Sequence, residues 1–378
     1  MSNSSKYVTL LKRWKGVWNA HKTNFKGSSA SGKYLIIESD DWGAIRTPSR
    51  EALRRFEQKG MDIKDSIYKN DALASDEDLN ALFDMLSEIR DAHGKTPVIT
   101  ANVIVANPDF ERIKNSGYST YFYEPFTETL KRYPEHQNAF SIWENAISEG
   151  FFFPQFHGRE HLNVKRWMNR LQAKDELTLF SFDQGATYSG KEDYSFMEAF
   201  DWDSKEDMKE HGEIIKDGTA LFEKIFGYTS DSIIAPCYNW DKDLEKSFSE
   251  NGIRIIQGIR YQLEPTGTFD QYSSKRHFYG DKNSFGTRYN IRNCFLEPSM
   301  SPTKDWVDSC MAQIENAFLW NRPAVICSHR INYVGYISKQ NRERGIRDLK
   351  EVLERTLDRW PDVEFISTNE LIKKQSWE

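Results

Sequence analysis

The sequence predicts an α/β protein in which a parallel β-sheet, covered by helices, closes into a barrel. Three observations support this fold class. Short apolar runs recur along the chain and end in polar residues, segments with helical spacing lie between several of them, and the alternation repeats often enough to close a sheet. In such barrels the catalytic side chains lie at the carboxyl ends of the strands.

The predicted strands are the apolar runs, which are short and continuous enough to be buried in a parallel sheet. They cover residues 34–37, 98–105, 151–156, 177–182, 233–235, 253–256, 324–327 and 363–366.

Amphipathic helices are predicted between some of these strands. They cover residues 75–90, 214–225 and 346–360. In each, apolar residues recur every three or four positions, so that one face can pack on the sheet. The first has a capping signal formed by Ser75 and Asp78, and Gly227 stands just past the end of the second as a C-cap.

Residues 261–301 interrupt this alternation. They are rich in Gly, Ser, Asn, Arg and Tyr and contain few apolar runs. We expect a long excursion over one face of the barrel, because loops of this length in compact domains are often functional. An insertion without function is the alternative.

The length and composition favour one large domain. The 378 residues are 38% hydrophobic, which is enough to bury a core without disulfides. No Pro/Gly/Ser-rich linker interrupts the chain after Lys33, so we expect a single barrel domain over 31–375. Residues 1–30 form a basic arm, which is expected to be solvated; contact with an anionic surface is the weaker alternative.

The charge and cysteine pattern excludes several classes of protein. Lys and Arg number 51 against 57 Asp and Glu, which is not a nucleic-acid-binding balance. The four cysteines form no C-x-x-C pair, so neither a zinc knot nor a disulfide framework is indicated. With no secretory signal and no run of membrane-spanning length, we expect a cytoplasmic protein. Nothing in the sequence indicates its oligomeric state.

Two adjacent acids follow the first predicted strand. Asp40 and Asp41 come directly after the apolar run 34–37. Neighbouring carboxylates resist joint ionisation unless a cation or hydrogen bonds compensate. A metal ion would provide that compensation, whereas a solvated turn is the alternative for an isolated pair of acids.

A pair of histidines follows the run 151–156. His157 and His161 are spaced as H-x-x-x-H, and a helical turn there would bring both imidazoles to one face, about 2.1 Å from a shared cation. The chain has only eight histidines, so chance pairing at this spacing is uncommon. Separate structural roles for the two are the alternative.

A third histidine, His329, stands at the end of the strand predicted over 324–327. A lone histidine in this position is more often structural than catalytic. A metal hydrolase with a carboxylate base still needs a proton donor for its leaving group, and imidazole titrates in the right range. His329 is therefore the candidate acid.

Aromatic side chains near the presumed strand ends suit a carbohydrate ligand. Trp42, Tyr238 and Trp240 could offer ring faces on which sugars stack. Packing in the core is an equally good interpretation of each of them.

In this order and spacing the motifs resemble those of the polysaccharide deacetylases, the NodB-like carbohydrate esterase family 4. Residues 39–41 resemble the strand-end acid pair of that family, 157–161 its H-x-x-x-H metal motif, and 326–329 its late L-x-H motif. The likeness covers about residues 33–368. It implies a deformed (β/α) barrel of about seven strands.

The resemblance also implies residue roles and a cofactor. Asp40 would be the general base, and Asp41, His157 and His161 would hold one divalent cation, with zinc the default and cobalt, nickel or manganese the alternatives. His329 would protonate the departing amine or alkoxide. The implied reaction removes an acyl group, first of all acetyl, from nitrogen or oxygen of a carbohydrate.

Substrate contacts are expected from Trp42, Cys237, Tyr238, Trp240 and Arg330. The backbone N–H of Cys237 would help to stabilise a tetrahedral oxyanion.

The chain departs from the family pattern in two places. The R-x-P-Y motif appears as Ile-Ala-Pro-Cys at 234–237, without the arginine that would steady the base. A D-x-x-x-W motif has no secure equivalent. We expect Arg46, Arg292 or Arg330 to replace the missing arginine.

Two other functions compete with this interpretation. His157, Glu160 and His161 also spell H-x-x-E-H, the motif of a zinc peptidase with Glu160 as base, but that motif needs a long helix where 151–156 predicts a strand. The second is a catalytically silent carbohydrate-binding barrel. The missing arginine favours the silent barrel, and the acid and histidine pairs oppose it.

Overall fold

The computed structural model describes residues 20–63, 66–191 and 194–375. Within these ranges the chain forms a nine-stranded parallel sheet and two small antiparallel ladders. The strands are β1 (Tyr34–Trp42), β2 (Ile99–Ile104), β3 (Ala106–Pro108), β4 (Tyr123–Pro125), β5 (Phe152–Gly158), β6 (Ser232–Ile234), β7 (Ile255–Gly258), β8 (Tyr261–Pro265), β9 (Tyr272–Arg276), β10 (Arg288–Ile291), β11 (Cys294–Phe295), β12 (Ala324–His329) and β13 (Glu364–Phe365).

The helices pack around the sheet through their apolar faces. They are α1 (Arg50–Lys59), α2 (Asp76–Ser87), α3 (Phe110–Asn115), α4 (Phe126–Lys131), α5 (Ala139–Glu149), α6 (Val164–Gln172), α7 (Glu176–Asp183), α8 (Asp207–Phe226), α9 (Leu244–Glu250), α10 (Trp306–Leu319), α11 (Lys339–Arg359) and α12 (Thr368–Lys374). Short 3-10 turns lie at Ile67–Asn70, Pro236–Tyr238 and Arg330–Tyr333.

The parallel sheet curves until its two edges meet. Its strand order is β10-β7-β6-β5-β2-β1-β12-β11, with β13 also paired to β1. The edge strands β10 and β11 are separated by only two residues, Arg292 and Asn293. The N–H of Arg292 donates to the carbonyl of Gly258 in β7, and that of Asn293 donates to Val325 in β12. These two adjacent residues therefore close a deformed (β/α) barrel.

Seven of the eight predicted strands are confirmed, as β1, β2, β5, β6, β7, β12 and β13. The strand predicted at 177–182 is wrong, because this run lies in helix α7. Asp175 caps that helix by accepting the N–H of Thr178, and Thr178, Ser181 and Phe182 are buried at helical spacing.

The three predicted helices are confirmed as α2, α8 and α11. Ser75 and Asp78 form a reciprocal capping box at the start of α2. Gly227 ends α8 in the left-handed conformation, with φ 77°.

The excursion predicted over 261–301 includes residues that belong to the barrel. Its first part is the antiparallel hairpin of β8 and β9, but residues 288–291 and 294–295 are barrel strands. The side chain of Asn290 in β10 bonds to Glu38 inside the barrel. Because this strand places polar residues toward the interior, no apolar run signals it in the sequence.

The barrel interior is polar below the carboxyl ends of the strands. Glu38 is fully buried and accepts hydrogen bonds from Asn290, Arg292 and Thr368 at 2.7 Å each. Gln257 and Asn102 exchange two hydrogen bonds across the same space. The apolar core lies instead between the sheet and the helices. The side chains above this network are therefore held by hydrogen bonds and charge rather than by apolar packing.

Of the predicted basic arm, residues 1–19 lie outside the described residues. The described part packs on the barrel: Asn24 is buried and bonds to Asn316, and Asn293 donates to Asn24. Across the parts of the chain that the structure describes, no helix has both the length and the apolar character needed to cross a membrane.

Candidate active site

Both carboxylates of the Asp40–Asp41 pair face the same end of the barrel. Successive side chains of a regular strand point to opposite faces. In β1 the register to β2 shifts between Ser39 and Trp42, and Asp41 has a left-handed backbone with φ 69°. This bulge turns Asp41 toward the cavity beside Asp40. Backbone strain of this kind in a non-glycine residue is characteristic of functional sites.

Asp41, His157 and His161 bring three ligand atoms together from the ends of β1 and β5. Oδ1 of Asp41 lies 3.3 Å from Nε2 of His157 and 3.5 Å from Nε2 of His161. Ligand atoms bound tetrahedrally to zinc at about 2.0–2.1 Å would be roughly 3.3–3.4 Å apart. Oδ1 of Asp41 is buried and accepts no hydrogen bond from the described residues. The spacing and the donor set therefore fit a divalent cation.

The two histidines reach this point without the helical turn that the sequence predicts. His157 belongs to strand β5, the chain bends at Gly158 with φ 149°, and His161 follows in an irregular segment before α6. A helical turn is only one way to bring the two imidazoles together, and it does not form here because Gly158 ends the strand in a conformation that no helix contains. The imidazole rings still lie 5.0 Å apart between centroids.

Both imidazoles are prepared to act as ligands. His157 Nδ1 lies 2.8 Å from the carbonyl of Ile234, so Nδ1 carries the proton and Nε2 presents its lone pair to Asp41. Burial, together with the nearby guanidinium of Arg46, holds the pKa of His161 well below its usual value. His161 is therefore neutral.

The carboxylate oxygen of Asp41 that faces the two histidines also belongs to a chain of ion pairs. Arg46 Nη2 lies 3.0 Å from Asp41 Oδ1, Arg46 Nε lies 2.7 Å from Asp71, and Arg330 pairs with Asp71 in turn. Burial raises the pKa of Asp41, but the charge of Arg46 outweighs it and holds that pKa well below the usual range. Arg46 and Arg330 were both candidates to steady Asp40. They pair with Asp41 and Asp71 instead.

Arg292 takes that role. Its guanidinium bonds both carboxylate oxygens of Asp40, at 2.6 and 2.7 Å, and Asn102 donates to Asp40 Oδ1 at 2.8 Å. Burial raises the pKa of Asp40, but the charge and hydrogen bonds of Arg292 exceed this effect and lower it. Asp40 is therefore ionised and fixed in orientation.

His329 faces Asp40 across the cavity and is held by Glu297, which sequence reasoning missed. His329 Nδ1 lies 2.6 Å from Glu297 Oε1, while Nε2 lies 3.8 Å from Asp40 Oδ2. Asn332 donates to the second oxygen of Glu297 at 2.7 Å. Burial lowers the pKa of His329, but the carboxylate of Glu297 outweighs it and raises the pKa to about 10. The imidazole is therefore protonated at neutral pH.

The two acids and three histidines line a cavity of about 420 Å³ at the carboxyl ends of the strands. Its walls also include Cys237 and Tyr238, two consecutive residues with φ 55° in the turn after β6. Lys69 and Met300 lie at the exposed side. A space of this size suits a small ligand or one sugar unit of a longer one.

Three residues expected at the substrate lie in the interior instead. Trp42 is fully buried against Trp143 and Phe152, since its large ring fills the space between sheet and helices. Trp240 is buried and donates to Glu245. The sequence could not separate such core aromatics from cleft aromatics, because both follow strand ends.

Arg330 is also wrong as a substrate contact. It is fully buried, donates to the carbonyl of Ala44, and pairs with Asp71. Arg330 does not line the cavity, and it touches the cavity wall only through its partner Asp71.

Glu160 lies outside the cavity lining and has internal partners. It is 3% exposed and is bonded by Tyr121 at 2.9 Å and by Arg159 at 2.7 Å. With both donors directed at one oxygen, Glu160 has a structural role. The backbone around it is strand and bend rather than helix, so the geometry of an H-x-x-E-H peptidase is not present.

Comparisons with known proteins find likeness only among solved structures. No protein-family model matches the chain, and no curated protein matches it. The Xyl-CE4 domain of a multidomain xylanase from the hindgut metagenome of Trinervitermes trinervoides is 10% identical, with a TM-score of 0.39, 92% of this chain and 92% of that chain covered.

Two further solved structures show similar coverage of this chain. The peptidoglycan deacetylase PdaC from Bacillus subtilis is 10% identical with a TM-score of 0.34, and 92% of this chain and 93% of that chain are covered. A CE4 family pseudoenzyme from Bacillus anthracis is 8% identical with a TM-score of 0.37, at 91% and 67% coverage. At this similarity the function has to be inferred from the side chains of this chain.

Proposed function

We propose that this chain is a metal-dependent hydrolase that removes an acyl group, acetyl in the first instance, from a carbohydrate. The observation that carries the proposal is the convergence of Asp41, His157 and His161. Beside them lie a candidate base, Asp40, and a candidate acid, His329. Acyl transfer to water needs an electrophilic centre, a base and an acid within one cavity.

Asp41, His157 and His161 would hold the cation. Zinc suits two imidazoles and one carboxylate, and cobalt, nickel or manganese would accept the same ligands. A bound cation of this kind polarises the acyl carbonyl and lowers the pKa of a water molecule.

Asp40 would accept a proton from the attacking water. Arg292 and Asn102 hold the carboxylate in one orientation and keep it ionised. The same bonds make it a weak base, so it depends on a water whose own pKa has been lowered.

His329 supplies the proton for the leaving group. Glu297 holds Nδ1, which leaves Nε2 directed toward the cavity and Asp40. The leaving amine or alkoxide takes this proton as the bond to the acyl carbon breaks. Cys237 lines the cavity, and its backbone N–H would support the oxyanion.

The cavity supports a carbohydrate substrate less specifically than it supports the chemistry. Tyr238 is the one predicted aromatic that lines it, and its volume admits about one sugar unit. Acetate release from different substrates identifies the sugar and shows whether the linkage is an amide or an ester.

The test is acetate release from a panel of acetylated amino sugars and sugar esters by the metal-loaded protein. We expect turnover with at least one compound, loss of turnover with a chelator, and recovery on adding zinc or cobalt. Tight binding of glycans without hydrolysis by the metal-loaded protein would establish the silent binding barrel instead.

A further inference from the structure

A second group of metal-ligating side chains lies at the edge of the same cavity. Glu297, Cys327 and His329 place a carboxylate oxygen, a sulfur and an imidazole nitrogen within 4.8 Å of one another. Glu297 and Cys327 are buried, and the side chain of His329 is 23% exposed. A cation can therefore reach this cluster from the cavity through His329.

The distances in this cluster are near those of a tetrahedral site. Cys327 Sγ lies 3.8 Å from Glu297 Oε1, close to the roughly 3.5 Å expected between a sulfur and an oxygen on one zinc ion. His329 Nδ1 and Glu297 Oε1 are 2.6 Å apart, because they share a hydrogen bond. They need to separate by less than about 1 Å to accept a cation between them.

We propose that Glu297, Cys327 and His329 form a second, weaker site for a thiophilic divalent cation such as zinc, and that its occupation inhibits the enzyme. A cation there bonds the imidazole nitrogen and the thiolate, and the imidazole and thiol protons leave to solvent. The hydrogen bond between Glu297 and His329 is lost, and the Nε2–H that remains belongs to a neutral imidazole, which is a much weaker acid than the imidazolium that protonates the leaving group. The inhibitory effect rests on the function proposed above; the binding does not.

Two features make this site weaker than the Asp41 site. Burial raises the pKa of the Cys327 thiol to about 12, so a cation has to displace its proton. Arg292 Nη1 lies 3.5 Å from the sulfur and repels a second positive charge. The site therefore fills only when metal is in excess over the first site.

Cobalt titration of the full-length protein tests the binding directly. The Asp41 site contains no sulfur, so only the second site gives a near-ultraviolet thiolate-to-cobalt charge-transfer band. We expect this band after the first equivalent in the wild type and in Cys237→Ser, the matched control for the other cavity thiol. It should be absent from Cys327→Ser. A band that persists in Cys327→Ser, or no band in the wild type at a hundredfold excess, overturns the proposal.

Steady-state rates test the inhibition. We expect excess zinc to lower wild-type turnover about tenfold or more, with recovery on partial chelation, and to leave Cys327→Ser turnover nearly unchanged. Equal inhibition of both proteins, or of neither, would refute the inhibitory role. If no substrate is ever turned over, the proposed function fails while the cobalt spectrum still decides whether the second site exists.

Discussion

Asp40 and Asp41 show how two identical neighbouring residues take different roles. Asp40 is bonded by a guanidinium and an amide, which fix an ionised base. Asp41 faces two imidazole nitrogens at 3.3 and 3.5 Å, where a cation fits. The environment, rather than the residue type, separates their functions.

Replacing the base tests this division. We expect Asp40→Asn to lower kcat by about 10²–10⁴-fold, because the amide cannot accept a proton. The metal content should stay at the wild-type level, since Asp40 is not in the ligand triad. The matched control is Glu160→Gln, which should retain turnover because Glu160 lies outside the cavity. Loss of turnover in the control, with Asp40→Asn active, would support the peptidase-type base.

Glu297 is expected to set the alkaline limb of the pH profile. Its carboxylate raises the pKa of His329, so the acid form is lost only as pH rises through that raised value. Glu297→Gln removes the negative charge, lowers the pKa, and should move the fall in kcat to lower pH. Zinc stoichiometry should not change. A profile whose alkaline limb stays in place would exclude Glu297 from this positioning role.

At the residue scale, the sequence was most informative where motifs are short and local. The spacing of His157 and His161 and the adjacent acids were visible because each group lies within a few residues of one strand end. Arg292 and Glu297 lie more than 250 residues from Asp40 along the chain and belong to no recognisable motif. Only the closed barrel brings them to the site, so the sequence offered Arg292 as one of three candidates and gave no sign of Glu297.

At the scale of elements, the turn after β12 is held in place by helix α11. Gly345 of α11 lies so close to Asn332 that an added Cβ would stand 1.7 Å from the Asn332 carbonyl oxygen. Asn332 in turn bonds Glu297, which holds His329. The packing of one helix thus extends to the acid of the site.

Two glycine-to-alanine substitutions separate packing from helix propensity. Gly345→Ala should lower the free energy of unfolding by about 2 kcal/mol or more, because the methyl group overlaps backbone, and should also lower kcat. Gly212 lies in α8 with open space where a Cβ would stand, so Gly212→Ala should raise the free energy of unfolding by about 0.5–1 kcal/mol. Urea denaturation of both proteins measures these changes. Similar effects of the two substitutions would show that α11 is not closely packed on this turn.

Elements with strong local signals were predictable and those with tertiary origins were not. The capping box of Ser75 and the C-cap of Gly227 identify two helix ends by hydrogen bonds within a few residues. The bulge at Asp41 and the polar strand β10 depend on partners from distant strands. Periodicity contains no information about either.

At the scale of the molecule, the barrel closes around a buried polar network centred on Arg292. This residue bridges the seam through its backbone and joins Glu38 to Asp40 through its side chain. One guanidinium serves two buried carboxylates, so fold closure and base orientation depend on the same residue.

Removing this guanidinium should affect stability and activity together. We expect Arg292→Met to lower the free energy of unfolding by about 3–5 kcal/mol, because it leaves Glu38 and Asp40 buried without their cation. Turnover should fall as well. Arg254→Met is the control, since Arg254 pairs with Asp231 at the surface and is half exposed. If the Arg292→Met protein is as stable as this control, Arg292 does not stabilise the barrel through Glu38 and Asp40.

The proposed function depends on Asp41, His157 and His161 sharing one cation. Anomalous diffraction from a zinc-loaded crystal, recorded at the zinc edge, tests it most directly. We expect a strong peak bonded to Asp41 Oδ1 and to Nε2 of both histidines, at about 2.0–2.2 Å from each. Zinc bound elsewhere while these three side chains remain without metal would contradict it.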